Sequence, residues 1–231
     1  MVKKAVPQKA IVGALDFANS TGQLLASKDD IIREACCDCI SDLRYKDLAI
    51  SDKLADNVHN WAIGFAVVEG GGTGVFGLPG MIVDIPATIT LALRTVHKIG
   101  LCYGYEADSE EDKQFILGIL AASGANTIEE KSFALLYLKS IEQMLLKQTW
   151  KHIETVAARQ AGKEASVMAI RKIAKQLGIN ITKRKALAAI PFIGAVIGGS
   201  VNGWYLNEVS WAAKRAYQER WLVENQKIID I

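Results

Sequence analysis

This chain has little of what marks a disordered, secreted or disulfide-stapled protein. It holds only four prolines in 231 residues, a net charge of +2 and a mean hydropathy of +0.15. Disordered chains combine low hydrophobicity with uncompensated charge, so disorder is excluded and one compact folded domain is expected. A disulfide framework is lacking too. Three of the four cysteines crowd into four residues at Cys36, Cys37 and Cys39, with Cys102 far away, which fits a reducing compartment. No export signal is read: after the basic start, Pro7, Lys9 and Asp16 interrupt the chain before an apolar core of signal-peptide quality accumulates.

Sustained period-two alternation is also missing. Apolar residues recur at three- and four-residue steps instead, so the fold class is all-α. The pattern predicts a helix over 29–43 and a second capped by Ser51. A third opens at Asp108 or Ser109, with Glu110, Glu111 and Asp112 in its first turn, and ends at Ser123-Gly124. Thr127 begins a fourth, which sets Ala134, Tyr137, Leu138, Ile141, Met144 and Leu145 on one side, and a fifth spans about 163–177.

Recognisable reaction motifs are scarce. Gly72-Thr-Gly74-Val-Phe-Gly77 matches a dinucleotide fingerprint by letter, but no strand-helix-strand alternation surrounds it and no Lys-Ser/Thr follows, so no cofactor is implied. The C-x-x-C at Cys36 and Cys39 has no second ligand pair. On a helix these two thiols share a face, and buried structural thiols are expected. Asp52, Asp56 and His59 stand at i, i+4 and i+7, placing three metal-ligand types on one helix face. They are the candidates for a metal-dependent enzyme, against the plainer reading of a solvated face, because no H-x-x-x-H or E-x-x-H accompanies them.

Two segments differ from the rest. Residues 61–105 hold a Gly/Pro-marked stretch between apolar runs, and residues 186–206 carry no charge. As a helix the latter would reach roughly 30 Å, the thickness of a bilayer core. Pro191, the glycines and Asn202 weaken insertion. The flanks suit head groups: Lys183, Arg184 and Lys185 precede it, while Trp204, Trp211, Lys214, Arg215 and Trp221 lie at its end or beyond. From Trp150 onward there are 13 Lys and Arg against 6 Asp and Glu, which points to an anionic partner for the C-terminal half. Asp84, Arg94, His97 and Asn202 are polar groups in apolar surroundings. Asp84 is expected to cap a helix starting at Pro86, and Arg94 to find a carboxylate such as Glu69, Glu208 or an N-terminal acid.

The run Gly70-Gly-Gly-Thr-Gly-Val-Phe-Gly-Leu-Pro-Gly-Met-Ile-Val-Asp-Ile-Pro86, then Leu91-Ala-Leu-Arg94 and Tyr103-Gly-Tyr-Glu106, resembles the signature of the EcsC family. Lys185, Ile190-Pro-Phe-Ile-Gly-Ala-Val-Ile-Gly-Gly199, Asn202 and Arg220-Trp221 fit its second half. The resemblance covers about residues 50–225. It implies a helical, mostly bacterial, membrane-associated accessory protein connected with an ABC transporter or secretion, and it brings no catalytic residues.

These readings combine into one all-α unit: N-terminal flanking helices over 1–50 and an EcsC-like helical domain over 51–231, with two Gly/Pro-rich hairpins packed centrally. The expected function is a non-enzymatic protein on the cytoplasmic side, docked peripherally on the inner membrane. Its partners would be anionic lipid and a transporter subunit. The alternatives are a soluble lipid- or small-molecule-binding helical protein and the metal enzyme. Nucleic acid is disfavoured because the basic residues form no known motif, and paired glycines would permit an oligomer.

Overall fold

The computed structural model describes residues 8–74, 78–124, 132, 134–141, 193–225 and 227. They are helical with short connections: α1 (Gln8–Leu25), α2 (Asp29–Ala35), a 3-10 turn (Ile40–Arg44), α3 (Leu48–Gly74), α4 (Leu78–Cys102), α5 (Glu110–Gly124) and α6 (Ile193–Glu224), with a further helical stretch over 134–141. No strand occurs among the described residues, so the fold is all-α.

Pairs of side chains fix the packing. Asp52 meets Gln218, Asp56 meets Lys214 and His59 meets Trp211, so α3 and α6 run antiparallel. Tyr103 meets Asp52 and Arg94 covers Trp61, which makes α4 antiparallel to α3 as well. These three helices form the centre. α1 lies along α4, where a Cβ on Gly22 would stand 2.8 Å from the backbone nitrogen of Arg94, so only glycine permits that approach. α5 lies on α6, with Phe115 edge-on to Tyr217 at 5.4 Å. One hydrophobic core joins them, including Ile31, Leu43, Leu54, Leu93, Ile99, Ile116, Leu120, Leu206 and Val209.

Local chemistry explains several boundaries. Ser109 Oγ accepts the Asp112 N–H at 3.0 Å and the Asp112 carboxylate accepts the Ser109 N–H in return, a capping box that starts α5 where the acids predict. Ala134 and Ile141 are buried and Tyr137 and Leu138 pack on the core, as the spacing requires. Met144, Leu145, Thr127 and the helix over 163–177 lie outside the described residues, as do Lys183, Arg184 and Lys185.

Four local expectations are corrected. The helix over 29–43 stops at Ala35, because Cys36 turns left-handed at φ 49° and the chain restarts as a 3-10 turn. Cys36 and Cys39 therefore share no helical face, and both are exposed rather than buried. Ser51 lies inside α3 and is buried; Asp47 caps instead, its Oδ1 accepting the Ala49 N–H at 2.9 Å. Asp84 does not stand at a helix start, since α4 begins at Leu78 and runs through Pro86. Pro79 occupies the first turn, where a missing N–H is harmless, and the packed residues after Pro86 carry the helix across the second proline.

Candidate functional site

The lower half of the bundle, at the N-terminal end of α3, is polar and internally satisfied. Asp52 Oδ1 accepts from both Tyr103 Oη and Gln218 Nε2 at 2.6 Å. Asp56 pairs with Lys214 Nζ at 2.6 Å, and the His59 ring stands edge-on to Trp211 at 5.4 Å. The three metal-ligand candidates share a face as their spacing predicts, yet each is engaged with α4 or α6 rather than converging on a point. Among the described residues no group of three or more His, Cys, Asp or Glu could hold a metal ion.

Beside them sits a buried cluster that sequence reading did not single out as a unit. The Arg220 guanidinium bonds Asp112 at 2.9 Å and Glu224 at 3.1 Å and lies 4.1 Å above the Tyr105 ring. Tyr105 Oη donates to Glu224 at 3.0 Å, and Arg44 covers the same ring at 4.7 Å. Burial alone would make Arg220 a weaker base, but the Glu224 and Asp112 carboxylates outweigh it and raise its pKa. Burial, then Glu224, pushes the Tyr105 hydroxyl up. Trp221 is buried, with Nε1 3.4 Å from the Leu43 carbonyl. Tyr103-Gly-Tyr-Glu106 and Arg220-Trp221, far apart in sequence, thus form one clamp at the end of α4 and α6.

His97 is buried with Nε2 3.0 Å from Asn19 Oδ1, and burial lowers its pKa to about 4. The unfolded chain, near 6.5, binds the proton more readily, so this group's contribution to stability is present above about pH 6.5 and is lost as pH falls toward 4. The loss approaches about 1.4 kcal/mol per pH unit inside that window. Thermal melts between pH 7 and 4 should show it, and His97→Gln should flatten the profile. An unchanged slope in that variant would remove the assignment. His97 also borders a cleft of about 50 Å³ lined by Gln23, Lys28, Tyr105 and Tyr217 among others, room for a water or two rather than a lipid chain.

One level higher the exposed surface changes character. The outward stripe of α3 reads Lys53, Asp56, Asn57 and Asn60, then Trp61, Gly64 and Phe65. Trp61 is 48% exposed and Phe65 49%, their rings stacked 5.1 Å apart. Across α3, Trp211 is 42% and Trp204 43% exposed. The antiparallel register sets these four aromatics within roughly two helical turns of one another along the bundle, on two flanks of α3. Leu24 and Leu25, exposed at the end of α1, join them, because Arg94 Nε donates to the Leu25 carbonyl at 3.1 Å while its guanidinium lies 4.3 Å over Trp61. Among the described residues, Arg94 thus meets a carbonyl and an indole and not a carboxylate; the Glu69 side chain lies outside that description. Arg215 is exposed nearby, but Lys214 and Trp221 are withdrawn into the packing and present no free head-group contact.

Beyond this level the sequence is nearly uncharged: Glu69 and Asp84 are the charged residues in 66–93, and 193–207 has none. No helix among the described residues is long and apolar enough to cross a membrane. Asp84 and Asn202 occupy helical positions in these upper portions of α4 and α6.

The architecture is that of an all-α protein, its long antiparallel helices clamped at one end by a Tyr-Arg-carboxylate cluster and ringed by aromatics further up. The chain belongs to the EcsC protein family, whose model matches residues 1–222. That match begins ahead of residue 50, so it takes in α1 and α2. The uncharacterized protein YdbA of Bacillus subtilis (strain 168) is 28% identical over 231 residues, spanning 95% of this chain and 80% of YdbA. No solved structure matches.

Proposed function

We propose that this is a non-enzymatic docking protein that seats the upper end of its helical bundle in one leaflet of a membrane, from the cytoplasmic face. The observation that carries the reading is the switch along the exposed stripe of α3, from Lys53, Asp56, Asn57 and Asn60 to Trp61, Gly64 and Phe65, with Trp204 and Trp211 at the same level. Tryptophan favours the head-group boundary, having an apolar body and one N–H donor. A protein partner would cover one flank of α3, whereas a planar lipid surface meets every flank at one height. The near absence of charge above the aromatics and the polar clamp below them supply the two sides of such a boundary.

Flotation with phosphatidylglycerol-containing vesicles at low salt tests the reading. The wild type is expected to float, and the double variant W61A/F65A to partition at least roughly tenfold more weakly, from the apolar area it no longer buries. A protein that stays at the bottom of the gradient with every vesicle composition would end the proposal.

A further inference from the structure

We infer that Arg94 receives a phosphate oxygen of a phospholipid headgroup, the guanidinium being presented by Trp61 and the end of α1. This deepens the docking reading and rests on it. Nε is taken by the Leu25 carbonyl at 3.1 Å, and the guanidinium carbon lies 4.3 Å over the centre of the Trp61 ring. Nη1 is buried and has no hydrogen-bond partner among the described residues, while the residue as a whole keeps part of its surface, so a phosphate meets the guanidinium at its exposed edge and offsets its charge rather than bonding Nη1. Asp30, the acid whose charge reaches Arg94, is already held by Lys98 Nζ. The result is a cation fixed in direction and lacking a carboxylate among the described residues, at the level where Trp61, Phe65, Leu24 and Leu25 stand exposed. Burial also disfavours its charged form, so an anion arriving there relieves an existing cost. A planar fork with its Nε already fixed suits a tetrahedral phosphate, whose oxygens accept charge-assisted bonds. The aromatic and leucine surroundings favour a phosphate that comes attached to acyl chains over one free in water.

The test compares the full chain with R94Q and R94K on three vesicles: phosphatidylcholine, phosphatidylcholine with phosphatidylglycerol, and a phosphate-free galactolipid. R33Q removes an equal charge from the surface of α2 and serves as the control. On both phosphate-bearing vesicles R94Q should partition about tenfold more weakly and R94K should fall between it and the wild type, while R33Q should bind phosphatidylcholine unchanged. On galactolipid, the wild type and R94Q should bind alike and weakly. Circular dichroism melts verify that each variant is folded; should R94Q fail to fold, R94K and the wild-type lipid comparison decide. Equal binding of wild type and R94Q to phosphatidylcholine, or wild-type binding to galactolipid as tight as to phosphatidylcholine, would overturn the Arg94 assignment and leave docking intact. Binding to no vesicle at all would remove both.

Discussion

Arg220→Ala should cost about 3–5 kcal/mol of folding stability, the range for removing one partner of a buried charge cluster. Its guanidinium joins three elements: α6 itself through Glu224, α5 through Asp112, and the turn after α4 through the Tyr105 ring. Alanine would leave two carboxylates facing each other in a protein interior with no cation between them. It would also remove the guanidinium that stands 5.7 Å from the centre of the Phe115 ring. Urea denaturation followed by tryptophan fluorescence measures the effect through the transition midpoint. Arg220→Lys keeps the charge but cannot make the forked contacts, and should recover only part of the loss. A change below about 1 kcal/mol for the alanine variant would mean that the cluster is solvated and contributes little.

Gly104→Ala should cost about 2–4 kcal/mol, because two effects coincide at one residue. Gly104 has φ +88°, which L side chains rarely adopt, and its missing Cβ would stand 2.7 Å from both the backbone nitrogen and Cγ of Arg44. A side chain could move aside; the backbone of the 3-10 turn is held by buried Ile40 and Leu43. The displacement would also break the 2.8 Å bond from Arg44 Nε to the Gly104 carbonyl and shift Arg44 off Tyr105. A double variant joining Gly104→Ala to Arg220→Ala should be less destabilised than the sum of the two, since both loosen the Tyr105 corner. Full additivity would show the corner to be two independent contacts.

Much of the helical order was legible because its causes are local. The acids at 110–112 and the Ser109 cap start α5 by contacts within four residues, and the Ala134 to Ile141 face follows from helical period. The breaks that sequence reading missed have distant causes. α2 ends at Cys36 without glycine or proline, because Lys46 Nζ reaches back to the carbonyls of Ala35 and Cys36 at 2.8 and 2.9 Å. Pro86 reads locally as a helix start, yet tertiary packing of the following turns carries α4 through it.

The candidate site divides in the same way. Trp204, Trp211 and Arg215 are exposed as the composition suggested, whereas the same basic and aromatic pattern also included Lys214 and Trp221, which pack inward. Only partners distant in sequence decide between them: Asp56 on α3 claims Lys214, and the Leu43 carbonyl in the 3-10 turn claims Trp221. Trp61 and Phe65 offered a weak signal, two aromatics one turn apart at the edge of the Gly/Pro-marked segment. Their exposure depends on where α4 crosses, which no local pattern states.

If one level of the bundle meets lipid, depth-resolved fluorescence quenching will find its tryptophans at one depth. Four variants each retain a single tryptophan, at 61, 204, 211 or 221, the others being replaced by phenylalanine, and are mixed with vesicles whose lipids carry bromine near the top of the acyl chains. Trp61, Trp204 and Trp211 should all be quenched to a similar depth while Trp221 keeps its emission. Quenching of Trp221 as strong as that of the other three, or no quenching at any position, would mean that the bundle does not meet lipid at this level.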